Sequence, residues 1–256
     1  MEIKHVVYSH DQMRNHVDNV SLRIDEGNIT TIIGPNGCGK STLLGVMSNH
    51  FVPQQGEITL DGKKLATYKP KELARKIAVV HQQNSAPADM TIERLVSYGR
   101  LPYKTMFKTD KATDDAAVTW ALKVTNLVEH KHITMDALSG GQRQRVWIAM
   151  ALAQQTPYLF LDEPTTYLDI YYQYELLELI KRLNEEHGLT IVMVLHDINQ
   201  AIRYSDSIIT MKAGQVMIKG HPKEVITNEL IYDTYGVNVL VKEDEQTGIY
   251  TIPVGI

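Results

Sequence analysis

"GPNGCGKST", residues 34–42, places three glycines and a lysine in nine positions and holds the only cysteine of the chain. It matches the spacing G-x-x-x-x-G-K-[ST] through Gly34, Gly39, Lys40 and Ser41. The run before it, "ITTII" (29–33), reads as a β-strand, and "KSTLLGVMSNH" (40–50) reads as the helix that follows. Between a strand and a helix, glycines let successive backbone N–H groups turn inward and form a nest for phosphate oxygens at the positive end of the helix. Gly34, Pro35, Asn36, Gly37, Cys38, Gly39, Lys40, Ser41 and Thr42 are therefore the expected cradle for the phosphates of a nucleotide, a loop that kinases, GTPases and motors share. Lys40 is expected on the outer phosphates and Ser41 on Mg²⁺. A thiol beside a helix N-terminus and a lysine predicts a lowered pKa at Cys38, and labelling that ATP blocks.

The composition narrows the classes of partner. The chain has 256 residues and a net charge of -4, which gives no general electrostatic reason to hold nucleic acid or anionic lipid. One cysteine permits no internal disulfide and fits a reducing compartment. The start, "MEIKHVVYSHD", carries charges where a signal peptide has an apolar run, and no stretch approaches the ~18 apolar residues of a membrane helix. These features predict a soluble protein of the cytoplasm.

Short apolar runs alternate with amphipathic ones, the pattern of an α/β sheet covered by helices. "EITLDG", "KIAVVHQ", "PYLFLDEP" and "TIVMVLHD" read as strands, the last two buried on both faces. Residues 110–127 and "YYQYELLELIKRLNEEHG" read as helices, the second with Asp169 as N-cap and Gly188 as its stop. "DSIITMKAGQVMIKG" reads as two strands around Ala213-Gly214, and "PKEVITNELIYDTYG" as short closing helices. The expectation is one domain, 1–256, with a helical portion inserted at roughly 84–156 and a small antiparallel β portion.

Two further stretches separate this chain from kinases and GTPases that share the loop. Asp162 and Glu163 end a buried strand at its carboxyl edge, where open α/β sheets bind ligands. There Asp162 would serve Mg²⁺ and Glu163 would polarise an attacking water. "LSGGQRQR" (138–145) adds a second glycine-rich helix start for an anion. One nucleotide cannot easily use both termini of one chain, so two chains are expected to pair head to tail, each closing the other's ATP.

On these motifs the sequence resembles the ATP-binding cassette (ABC) family over nearly its whole length. The resemblance implies a P-loop NTPase core, RecA-like, of ABC type. It implies that Ser139, Gly140, Gly141 and Gln142 complete the partner's γ-phosphate shell. Gln82, beside Gln83, is identified with the glutamine that contacts Mg²⁺ and senses the membrane partner. His196 in "VLHD" is identified with the switch histidine, Asp169 in "TYLD" with the D-loop, and Tyr8 with the ring that stacks on adenine.

The chain also resembles one branch of that family. "DEPTTYLDIYYQYELLELIKRLN" and "DMTIERLVSYGRLPY" are similar to ATPases of bacterial ferric-siderophore, heme and cobalamin uptake, closest to the siderophore branch. The implied assembly is a homodimer with two permease subunits, fed by an extracellular siderophore-binding protein and held peripherally on the cytoplasmic face of the membrane. A soluble non-transport ABC ATPase is the alternative. The permease surface is expected between Gln82 and Lys104, with Arg100, Tyr103 and Lys104 exposed on it.

Overall fold

The structure, a computed structural model, describes residues 1–104 and 110–256. In chain order its strands and α-helices are β1 (Glu2–Tyr8), β2 (Val17–Arg23), β3 (Ile29–Ile33), α1 (Lys40–Met47), β4 (Gln55–Leu60), β5 (Lys63–Lys64) and α2 (Pro70–Leu73). Next come β6 (Ile77–Val80), α3 (Ile92–Ser97), α4 (Lys111–Val124), α5 (Gly140–Ala153), β7 (Tyr158–Leu161) and α6 (Ile170–His187). The remainder is β8 (Thr190–Val194), α7 (Ile198–Tyr204), β9 (Ser207–Lys212), β10 (Gln215–Gly220), α8 (Pro222–Val225), α9 (Asn228–Tyr235), β11 (Asn238–Asp244) and β12 (Gly248–Gly255). The chain forms two compact units, one of residues 1–68 with 190–256 and one of residues 69–189.

In the first unit, β3 is buried at all five positions and pairs in parallel with β8 on one side and β9 on the other. A strand enclosed this way faces protein on both sides, so "ITTII" and "TIVMV" lack alternation, and even Thr30 and Thr31 are buried. β9 turns back into antiparallel β10 through Ala213 and Gly214, whose φ values of 46° and 82° are those of a tight primed hairpin turn. β1 pairs antiparallel with β2 and β4, and β4 with β5. The last stretch is an antiparallel hairpin of β11 and β12. It is tied to α7 because the Asn199 side chain donates to the Thr251 carbonyl at 3.1 Å and accepts the Thr251 N–H at 2.8 Å.

The second unit holds the parallel pair β6 and β7, with Val80 opposite Leu161, and the packed helices α3, α4 and α5. Asp110 caps α4 by accepting the Thr113 N–H, and α6 ends on Gly188 in the left-handed conformation. Asp169 occupies the N-cap position of α6, but its side chain makes no capping bond.

Arg100 departs from its expected place on an exposed surface: it is 3% exposed. Its Nε donates to Asp114 at 2.8 Å and its Nη1 to the Ala153 carbonyl at 2.9 Å, and its guanidinium lies 3.9 Å over the Tyr103 ring. A cation is stabilised there because it faces the carbonyl end of α5 as well as a carboxylate. Tyr103 is half-buried, its hydroxyl donating to Gln154, and Lys104 is exposed.

Arg100→Ala strands Asp114 without its partner and is expected to cost about 3–5 kcal/mol in urea unfolding. Replacing both, Arg100→Met with Asp114→Leu, is expected to recover most of that loss. A single variant as stable as wild type would show that the pair does not hold these helices.

Candidate active site

The phosphate loop follows β3 directly and is shaped by close backbone contacts. Gly34 has φ 151°, and a Cβ there would sit 2.2 Å from the Met211 carbonyl oxygen. At Gly39, φ 107°, a Cβ would sit 2.0 Å from the His16 carbonyl oxygen. No side chain fits at either position, so the motif's first and last glycines are required by packing as well as by the turn. Lys40 is buried, and its ammonium curls over the loop to donate to the carbonyls of Gly34 (2.9 Å) and Pro35 (3.1 Å). Ser41 is exposed on the first turn of α1. A lysine held at the mouth of a ring of backbone amides is an arrangement for binding polyanions.

Two residues that the sequence reading did not select support this loop. Tyr235, at the end of α9, buries its hydroxyl against the Gly34 backbone and the Cys38 thiol, and that burial pushes the phenol pKa up. His10, between β1 and β2, brings Nε2 to 3.2 Å from Thr42 Oγ1. Nothing in the local sequence flags either contact, because both cross long stretches of chain.

Cys38 differs from expectation. It is 4% exposed, and burial raises its thiol pKa, with the nearby Lys40 opposing only in part. Desolvation of a thiolate outweighs the helix start and the lysine here.

Parallel strands deliver the remaining groups to carboxyl edges. In the first unit β8 runs beside β3, with Ile32 opposite Val194, so His196 follows the same edge that launches the phosphate loop. His196 is exposed, just before Asp197, which caps α7 by accepting the Gln200 N–H at 2.9 Å. In the second unit β6 and β7 end together, the Asp162 N–H donating to the Val80 carbonyl at 2.9 Å. Gln82 and Glu163 then meet: Gln82 Nε2 donates to Glu163 Oε2 at 2.6 Å. Thr166 Oγ1 donates to the same carboxylate oxygen at 3.1 Å. The signal for Thr166 was its place three residues after Glu163. Glu163 has φ 50°, a left-handed backbone that glutamate adopts at a cost of roughly 1–2 kcal/mol.

The "LSGGQ" stretch is a reciprocal helix cap. Ser139 Oγ accepts the Gln142 N–H at 3.3 Å, and Gln142 Oε1 accepts the Ser139 N–H at 2.9 Å. Gly141 faces the Tyr172 ring of α6, which a Cβ would approach to 3.0 Å. Tyr8, the ring expected against adenine, is half-buried and stacks on Phe51 at 5.1 Å between centroids.

The family model described as ABC transporter matches residues 17–166, a span running from β2 past the Glu163 carboxylate. The chain belongs to the ABC transporter family. Among other ABC proteins, it is 44% identical to the ferric enterobactin transport ATP-binding protein of Escherichia coli K12, over 93% of this chain and 88% of that protein. It is 42% identical to the petrobactin import ATP-binding protein FpuC of Bacillus anthracis, over 98% of this chain and 92% of that one. The iron(3+)-hydroxamate import ATP-binding protein of Bacillus subtilis is 44% identical over 90% and 86%. A dimeric ATP-binding cassette solved after hydrolysis with ADP and phosphate superposes with a TM-score of 0.74 at 34% identity, covering 86% of this chain and 98% of that one. Among the described residues no helix of this ABC protein is long and apolar enough to cross a membrane.

The buried thiol yields a direct measurement. At pH 8, maleimide is expected to label Cys38 of the folded protein at less than about a tenth of the rate in guanidinium, in line with its burial and raised pKa. Equal rates would mean that the loop opens freely and that the thiol is not enclosed.

Proposed function

We propose that this chain is the ATP-hydrolysing subunit of an importer that carries ferric siderophores through membrane permease subunits. The observation that carries the chemistry is the Glu163 carboxylate, held by Gln82 and Thr166 at the end of β7, in a chain whose Lys40 caps a phosphate loop. The names of the relatives support the cargo: they are ferric enterobactin transport, petrobactin import and iron(3+)-hydroxamate import ATP-binding proteins, each matched over most of both chains. Import of heme or cobalamin is the second reading, resting on the wider group that "DEPTTYLDIYYQYELLELIKRLN" resembles.

The division of labour follows from charge. Lys40 and the loop amides bind the phosphates and oppose their negative charge, which grows on the leaving oxygen as the terminal bond breaks. Glu163 accepts a proton from the attacking water, and the amide of Gln82 fixes the carboxylate's direction. His196 is placed to donate to the γ-phosphate. Ser139, Gly140, Gly141 and Gln142 serve a nucleotide held by a second copy of the chain, and Asp169 lies at the contact between the copies.

Ser41, Gln82 and Asp162 offer hydroxyl, amide and carboxylate oxygens, the hard donor set that Mg²⁺ takes. Among the described residues no three His, Cys, Asp or Glu side chains gather as a metal-holding group. When bound, Mg²⁺ supplies further positive charge to the phosphates. The chain works as a peripheral subunit on the cytoplasmic face, as a homodimer joined to two permeases that an extracellular siderophore-binding protein supplies.

Glu163→Gln is expected to keep ATP binding and slow hydrolysis by roughly 10²-fold to 10⁴-fold, the contribution of a positioned general base. Cells carrying only that variant are expected to lose uptake of radiolabelled ferric siderophore while manganese and amino-acid uptake continue. Normal hydrolysis would remove Glu163 from its role. Lost hydrolysis with unchanged siderophore uptake would point to another cargo.

A further inference from the structure

The C-terminal hairpin is gripped at one rung. Val241 of β11 and Thr251 of β12 face each other across the strands. An asparagine from a neighbouring helix meets the outer edge of each. Asn228, at the start of α9, accepts the Val241 N–H through Oδ1 at 2.9 Å. Asn199, in the first turn of α7, makes three bonds to the opposite residue. Its Nδ2 donates to the Thr251 carbonyl at 3.1 Å, and its Oδ1 accepts the Thr251 N–H at 2.8 Å and the Thr251 hydroxyl at 3.1 Å. A side-chain amide placed this way copies the peptide group of a further strand and closes the edge.

Edge closure alone does not account for the Asn199 clamp, because the hairpin has other anchors. Val239 is buried, and Lys223 of α8 pairs with Glu243 of β11 at 2.6 Å. The clamp matters more to α7. That helix has seven residues, and its body is fixed by buried Gln200, Ala201 and Tyr204. The chain just before it is exposed at His196 and Asp197. Asp197 caps the first turn from within by accepting the Gln200 N–H, whereas Asn199 ties that turn to residue 251, far along the chain. Helix ends fray, and fraying of this one moves His196 with it.

We infer that Asn199 is a positioning residue for hydrolysis: through Thr251 it holds the first turn of α7 so that His196 stands at the γ-phosphate, an inference that rests on the ATPase reading above. In this role the C-terminal hairpin serves turnover through α7 rather than through a group of its own. The clamp acts on the transition state and not on the affinity of the phosphate loop, so it belongs to kcat and not to KM.

ATP hydrolysis and urea unfolding are measured on the full chain, on Asn199→Ala, Asn228→Ala and His196→Ala, and on the double variant His196→Ala with Asn199→Ala. A misplacement of about 1 Å at a reacting group costs up to roughly 10²-fold. Asn199→Ala is expected to lower kcat by roughly 5-fold to 50-fold, below that ceiling, with KM for ATP within about twofold of wild type. Asn228→Ala frees the same rung from its other side, and is expected to lower the urea midpoint while keeping kcat within about twofold. The double variant is expected to be no slower than His196→Ala, because Asn199 acts through that ring. Equal losses of kcat in Asn199→Ala and Asn228→Ala would make the clamp a general support and overturn the inference. A double variant slower than His196→Ala by the full Asn199→Ala factor would overturn it as well. Unchanged kcat in Asn199→Ala beside a slow His196→Ala would overturn it and leave the ATPase reading standing. A His196→Ala variant as fast as wild type would remove His196 from its role, and this inference with it.

Discussion

The tightest constraint in the molecule is the pinning of the phosphate loop between two backbone carbonyls. Met211 presses on Gly34 from the end of β9, and His16 presses on Gly39 from the start of β2. Each contact leaves no room for even a methyl group, so the loop's two ends are fixed by strands that are far apart in sequence. The Gly214 N–H donating to the Cys38 carbonyl at 2.8 Å adds a third tie. A nest whose amides must all point at one anion tolerates little drift, and this framework supplies that rigidity without using any of the loop's own inward-facing groups.

Parallel pairing explains why chemistry collects where it does. β3, β8 and β9 run the same way, so their carboxyl ends open on one edge, and β6 and β7 do the same in their own unit. β7 and the later part of β8 are apolar up to their carboxyl ends, with polar residues one or two positions beyond, as in "VMVLHD" and "LFLDEP". The change in polarity marks where the chain leaves the buried sheet, and a side chain one or two residues beyond that point can reach a ligand while its backbone stays anchored.

Those polarity changes are visible in sequence, which is why the strands, the α/β class and the helix starts could be read directly. What escaped reading has a physical pattern. Arg100 was placed on a surface because charge normally seeks water, yet its partners Asp114 and Ala153 become neighbours only through helix packing. Cys38 was assigned a reactive thiol from its helix start and lysine, while the burial that reverses the shift comes from tertiary contact with Gly34 and Tyr235. The Gln82 and Glu163 contact joins residues 81 apart, so sequence could supply the candidates but not the bond. The C-terminal hairpin escaped reading because "NVLVKED" groups three apolar residues before three charged ones instead of alternating, and its support is the side chain of Asn199 in a distant helix.

The left-handed backbone at Glu163 sets fold and function against each other at one residue. Glycine or asparagine accepts that conformation at less cost than glutamate, so either would relax the turn after β7 while deleting the carboxylate. A library of variants ranked only by melting temperature would therefore favour loss of the carboxylate at this position. Backbone comfort and the carboxylate that meets Gln82 and Thr166 thus pull in opposite directions at one residue.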